Sequence, residues 1–234
     1  MGLQKAQIVS RGETEEHLAE KSQELKTLLK EQGFLIVSKN PDFIITLGGD
    51  GTFLFAERKY PGVPKLILKN SKICRLCRGD VDTRSIQKIK KGDFDICPID
   101  KIKLCFKKNI FFAVNDVTVR NINQREALRF VLQYADRKIE VIGDGMVFAT
   151  AQGSTGYFES ITRINFAEGL GAAFNNSTKK IEPIIAKEGI FKMQVTRSRA
   201  LVTFDNSPRS FIFKAGDNLE ISLAEKKASI IFLR

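Results

Sequence analysis

The chain has 234 residues, 43% of them apolar, and a formal net charge of +11, enough material to bury a core in one large domain or two small ones. No run approaches the ~18 consecutive apolar residues of a membrane span, and MGLQKAQIVSRGETEEH lacks the apolar core and cleavage site of a secretion signal, so a cytoplasmic protein with no membrane partner is expected. The basic residues occur in runs no longer than two, such as Lys90-Lys91 and Lys179-Lys180, without an aromatic platform, which argues against a nucleic-acid partner and leaves a surface that steers anionic nucleotides.

Residues 5–10, KAQIVS, read as a strand, and 13–32 as a helix with Leu18, Leu25, Leu28 and Leu29 on one stripe, ended by Gly33. The stretch PDFIITLGGDGTFLFAERKY predicts a strand at 43–47, a glycine turn at 48–51 and a helix beginning near Thr52, whose hydroxyl can act as its N-cap. A strand at 65–69 and a short helix at 85–92 continue an α/β alternation through residue 99. From about residue 100 the runs become short and alternating, separated by turn signals, as in KIKLCFKK, NIFFAVNDVTVRN, KIEVIGDGMVFAT and ALVTFDN. Such a pattern predicts a mostly antiparallel β domain over 100–234.

Three stretches carry chemistry. In LGGDGTFLF, Gly48, Gly49 and Gly51 leave room for a phosphate chain at a helix start, and Asp50 is a single carboxylate among them. An acid beside phosphate repels it unless a cation intervenes or the acid takes a proton from an attacking hydroxyl; an ordinary Gly-Asp-Gly turn is the competing reading. In GDGMVFATAQGSTGY, residues 143–157, an apolar strand links Asp144-Gly145 to a turn of small residues and Tyr157, which suits a ligand close to the backbone or a plain hairpin turn. Asn115-Asp116 ends the apolar run IFFAV and could read a nucleobase edge or close a turn. His17 is the lone histidine, which disfavours Ser-His-Asp and Cys-His catalysis. Cys74 and Cys77 have C-x-x-C spacing, but Cys97 and Cys105 do not match it, so reduced thiols rather than a zinc site are expected.

Taken together and in this order, GGDGT, NDV and DG followed by GSTGY resemble the NAD kinase family, over about 42–60 and 111–160. The resemblance implies an NAD kinase/diacylglycerol kinase-like fold, with an α/β domain over 1–99 and a β-rich dinucleotide-binding domain over 100–234. It further implies transfer of the terminal phosphoryl of ATP, or of polyphosphate, to the 2′-hydroxyl of the adenosine ribose of NAD. By the same resemblance Mg2+ or another divalent cation assists, and the protein is a homo-oligomer, a dimer or tetramer. Asp50 would be the base or the metal-organising acid, with Gly48, Gly49, Gly51 and Thr52 around the phosphates. Asn115 and Asp116 would hold the adenine, while Asp144, Thr155, Gly156, Tyr157, Ser160 and Asp205 would contact NAD. The sequence departs from the family at LKNSKICRLC, which keeps Asn70 without the expected glycines, and at Gln152. It also departs at Asp116, one methylene shorter than the usual Glu, and at the terminus IIFLR, which lacks the expected returning tail. A non-catalytic NAD or nucleotide sensor on the same fold, or a kinase with another acceptor, are the alternative readings.

Overall fold

The computed structural model of the chain describes residues 2–11, 15–69, 75–77 and 82–234, apart from the side chains of 15–18. The His17 side chain, Asn70 and Cys74 lie outside the described residues. The chain divides into two compact units, Met1–Ile99 with Ala228–Arg234, and Asp100–Lys227.

In the first unit, β1 (Lys5–Ser10), β2 (Leu35–Ile36), β3 (Phe43–Leu47) and β4 (Lys65–Leu68) pair in parallel. The helices α1 (Glu15–Glu31), α2 (Asp50–Lys59) and α3 (Thr83–Lys91) and the strand β5 (Phe94–Ile99) complete the sequence of elements there. Every residue of FIITL and KLIL is buried, as expected of central parallel strands covered on both faces. The cost of burying Lys65 is met by an ion pair with Glu57 of α2 and by the Tyr60 carbonyl at 2.6 Å, which ties the end of α2 to β4. Helix α3 begins where Asp82 accepts from the Ser85 amide at 2.7 Å and stops at Gly92, whose φ of 76° is left-handed.

The second unit contains β6 (Ile102–Phe106), β7 (Asn109–Ala113), β8 (Asp116–Asn121), β9 (Leu128–Tyr134), β10 (Arg137–Gly143) and β11 (Gly145–Thr150). A 3-10 turn at Gly153–Thr155 and the helix α4 (Tyr157–Thr162) follow, then β12 (Leu170–Asn175), β13 (Ile184–Ala186), β14 (Ile190–Arg197), β15 (Arg199–Phe204), β16 (Ser210–Lys214) and β17 (Asn218–Leu223). Two antiparallel sheets form, in the orders β10-β9-β14-β17-β6-β7 and β13-β12-β11-β8-β15-β16. Phe130, Leu132 and Phe191 from the first meet Val117, Phe148 and Val202 from the second in one core, the packing that alternating strands dictate. The run KIEVIGDGMVFAT splits into two strands, β10 and β11, because at Gly145 φ is 143° and a Cβ would fall 1.8 Å from the Val119 carbonyl oxygen.

The last strand, β18 (Ala228–Leu233), is antiparallel to β5 and bridges β4 in parallel at Ile230 and Lys65, giving the order β2-β1-β3-β4-β18-β5. Residues 228–234, read from the sequence as the end of the β domain with no returning tail, thus return to the α/β sheet. Its buried Ile230 and Ile231 supply the apolar contacts that fix it there. Cys97 and Cys105 are free thiols, whereas Cys77 is disulfide-bonded, which corrects the expectation of a reduced thiol at that position.

Candidate functional site

On the first unit, the glycine turn follows β3 directly. Gly48 adopts φ 147°, and a Cβ there would fall 2.2 Å from Thr52 Oγ1 and 3.0 Å from the Arg11 carbonyl oxygen. Its small size therefore serves the chain's own packing. Thr52 is not the N-cap: α2 already begins at Asp50, Gly49 occupies the cap position, and the buried Thr52 hydroxyl donates to the Arg11 carbonyl at 3.2 Å. That bond ties the turn after β3 to the end of β1. Gly51 is exposed in the first turn of α2. The Asp50 carboxylate accepts from the Leu76 amide at 3.1 Å and the Arg75 amide at 3.4 Å, and Cys77 Sγ lies 3.6 Å from the Gly48 carbonyl oxygen. The LKNSKICRLC stretch, which lacks the expected glycines, thus supplies backbone donors to the candidate acid through its described residues.

On the second unit, the β7–β8 junction and the 3-10 turn form one structure. A Cβ on Gly153 would fall 2.0 Å from the Asn115 carbonyl oxygen, so the two backbones touch. Thr150, fully buried, donates to the Val114 carbonyl at 2.6 Å and accepts from the Gly153 amide at 3.0 Å, while its own amide donates to the Asn115 carbonyl at 3.0 Å. From the other side Asp205 accepts from the amides of Val114 at 2.8 Å, Asn115 at 2.7 Å and Asp116 at 3.3 Å. The backbone of this junction is thereby held by the protein, whereas no hydrogen bond joins the Asn115 or Asp116 side chain to any described residue. Asp116 is largely buried, and burial together with the nearby Asp205 charge pushes its carboxyl up to about 6. A half-buried carboxylate and amide without hydrogen-bond partners among the described residues are costly unless a ligand uses them.

Asp144 stands at the opposite end of β11. Gly145 pairs with Arg120 while Ala149 pairs with Asp116, a separation of roughly 13 Å at ~3.3 Å per residue. The Asp144 carboxylate accepts from Asn176 Nδ2 at 2.9 Å and Asn121 Nδ2 at 3.4 Å. Tyr157 belongs to this end: its hydroxyl accepts from Asn175 Nδ2 at 3.3 Å, and the Asn175 carbonyl accepts from the Asp144 amide at 3.0 Å. The Tyr157 ring packs on the cluster of Val147, Ala149, Phe158 and Ala173, so it is partly a core residue. Thr155 Oγ1 donates to the Gln152 carbonyl at 3.5 Å, Gly156 is exposed, and the exposed Ser160 hydroxyl turns back to the Tyr157 carbonyl at 2.7 Å. The candidate residues of this unit fall into two groups, Asn115, Asp116 and Asp205 at one end and Asp144 with Tyr157 at the other.

No family model matches the chain. It is 27% identical over 142 residues to an NAD kinase of Saccharolobus islandicus (strain M.14.25 / Kamchatka #1), covering 60% of this chain and 56% of that relative. The match thus spans little more than half of that relative's own length. An NAD kinase of Sulfurisphaera tokodaii is 26% identical over 222 residues, covering 90% of this chain and 88% of the relative. The chain is thus similar in sequence to proteins named NAD kinase, in the second case along most of its length. Solved structures share the fold: an NAD kinase from Archaeoglobus fulgidus in complex with ATP has a TM-score of 0.80 at 17% identity over 98% of this chain and 93% of its own. Yeast NADH kinase complexed with NADH has a TM-score of 0.83 at 16% identity over 99% and 84%. The architecture expected from the sequence, an α/β part and a mostly antiparallel β part of the NAD kinase type, is the one observed.

The sequence alone did not single out Thr150, Asn175 or the Arg75 and Leu76 amides. Thr150 had a legible signal, since a hydroxyl in the apolar run MVFAT must find a partner when buried. The amides had none, because any residue type offers one.

Proposed function

We propose that the chain is an NAD kinase, transferring the terminal phosphoryl of ATP, or of polyphosphate, to the 2′-hydroxyl of the adenosine ribose of NAD to give NADP. The observation that carries this reading is the Asn115-Asp116 pair, whose backbone is fixed on both sides while its side chains lack hydrogen bonds to the described residues. An amide that both donates and accepts, beside a carboxylate that accepts, suits the donor and acceptor edge of an adenine. The relatives named NAD kinase, and the ATP and NADH bound in the two solved structures of this fold, point to the same substrates.

In this reading the turn at Gly48, Gly49, Gly51 and Thr52 serves the donor phosphates, and Asp50 takes the proton of the attacking 2′-hydroxyl. The new bond forms between that oxygen and the terminal phosphorus, the bond to the next phosphate breaks, and ADP leaves when ATP is the donor. The amides of Leu76 and Arg75 hold the Asp50 carboxylate in place for this. Among the described residues no group of three or more His, Cys, Asp and Glu could hold a metal ion, so Mg2+ would be held by Asp50 only together with the donor's own oxygens. When bound it supplies neutralisation of phosphate charge.

Asp144, Thr155, Gly156, Tyr157 and Ser160 would contact the remainder of NAD. A homo-oligomer, a dimer or tetramer, is proposed from the resemblance to NAD kinases. Among the described residues no helix is long and apolar enough to cross a membrane, and a cytoplasmic location is proposed from the lack of a secretion signal in the sequence.

The test is incubation of the purified protein with NAD, Mg2+ and either ATP or polyphosphate, read by a coupled assay specific for NADP. Accumulation of NADP with either donor is expected. No NADP with either donor, from a protein that is folded by circular dichroism, would overturn the reading.

A further inference from the structure

The side chains left for a ligand are those of Asn115 and Asp116, but what fixes them lies far along the chain. Asp205 follows β15 in a left-handed conformation, φ 46°, which an aspartate tolerates. There its amide donates to the Asp116 carbonyl at 2.9 Å, and its carboxylate receives the three successive amides of Val114, Asn115 and Asp116 at 2.8, 2.7 and 3.3 Å. Amides converging on a carboxylate make strong, charge-assisted hydrogen bonds. The carboxylate is thus committed to backbone that it must hold if the junction is to keep its shape.

We infer that Asp205 is a positioning residue: it fixes the backbone of residues 114–116 so that Asn115 and Asp116 are presented to the nucleotide, and it does not itself contact the ligand. This departs from the role of an NAD contact that the family resemblance implies for it. The activity readout below rests on the NAD kinase reading, whereas the backbone readout does not.

A second consequence concerns charge. The Asp205 carboxylate faces Asp116 from the turn after β15. From β11 the neighbours are Ala149, its pairing partner, and Thr150, both uncharged, while on β15 Phe204, which precedes Asp205, pairs with the next residue, Val117. On β8 itself the next residue on the same face is Thr118, hydrogen-bonded to Thr203 at 2.6 Å. Burial is the first cause of the raised Asp116 carboxyl and the Asp205 charge the second, so holding the amides and adding to that rise are two effects of one carboxylate, and they separate in variants.

The experiment uses the full chain and the variants Asp205→Asn and Asp205→Glu. Amide hydrogen exchange in the wild type should show slow exchange at Val114 and Asn115; fast exchange there would overturn the inference without any variant. In Asp205→Asn, protection should fall at 114–116 and stay at the wild-type level in β12 and β14. The NAD KM should rise by about tenfold to a hundredfold, as for a lost buried polar partner, with the ATP KM unchanged. The ionisation near pH 6 in the kcat/KM profile for NAD should move to lower pH in Asp205→Asn and remain near its place in Asp205→Glu, which keeps the charge. A raised NAD KM with wild-type exchange at 114–116 would make Asp205 a ligand contact instead, and wild-type values of both would deny it any role. Should the wild type form no NADP, the kinase reading fails while the exchange data still decide the positioning role.

Discussion

Gly153 and Asn115 meet backbone to backbone, so closely that a Cβ on Gly153 would fall 2.0 Å from the Asn115 carbonyl oxygen and 2.6 Å from its Cα. Two sequence motifs nearly forty residues apart are thereby one rigid body, and Thr150 binds both halves through its hydroxyl. Gly153→Ala is expected to destabilise the protein by about 3 kcal/mol, since backbone rather than a flexible side chain must yield. Gly156→Ala, whose nearest contact would be the Gly153 carbonyl oxygen at 3.3 Å, should lie within about 1 kcal/mol of wild type. Denaturant midpoints of the two variants check the contrast; equal values would show that the junction relaxes freely.

Asp50 sits in the first turn of α2 with its carboxylate on two backbone amides. If it is the general base, Asp50→Asn should leave NAD binding within a few-fold and lower turnover by ~100-fold or more. The replacement keeps an oxygen for one amide, so the turn should stay folded. Near-normal kcat in this variant would remove Asp50 from the chemistry.

Among the described residues Asn115 makes its hydrogen bonds through its backbone alone. Asn115→Ala should therefore cost little in thermal stability and raise the NAD KM by one to two orders of magnitude, ~1–3 kcal/mol for a lost buried polar contact, with the ATP KM unchanged. Measuring KM and melting temperature on one preparation separates this from a turn-forming role, which would lower the melting temperature and leave KM alone.

Asp116 makes stability depend on pH. Its carboxyl is raised from the ordinary 3.8 to about 6, first by burial and then by the Asp205 charge. Below pH 3.8 both folded and unfolded chains hold the proton and the group contributes nothing. Between 3.8 and 6 the unfolded chain releases it first, so stability falls as pH rises and levels off above 6, at a cost of about 3 kcal/mol. Asp116→Asn, neutral throughout, should match the wild type near pH 4 and exceed it above pH 6. Urea midpoints of both proteins at pH 4 and pH 7.5 test this, and a constant difference between them would refute the assignment.

The local elements were legible because their determinants are local. Apolar runs set β1, β3 and β4, Gly33 and Gly92 end helices by their left-handed φ, and the change from mixed to alternating patterns after residue 99 marks where antiparallel sheets begin. The motif residues Asp50, Asn115 and Asp116 were likewise identifiable as unusual residue types in apolar surroundings. Their partners were not. Asp205 is 89 to 91 residues from the amides it holds, and only the pairing of β15 with β8 brings it there. Thr52 reads as an N-cap in any window, yet the Arg11 carbonyl at the end of β1 takes its hydroxyl, a contact fixed by the pairing of β1 with β3. The strand β18 has the same apolar pattern as any edge of the β domain, and its place beside β4 and β5 is chosen by which sheet has an open position to fill. Periodicity in a sequence reports how each segment meets its surroundings; which segments become neighbours is decided by sheet order, an energy summed over the whole chain.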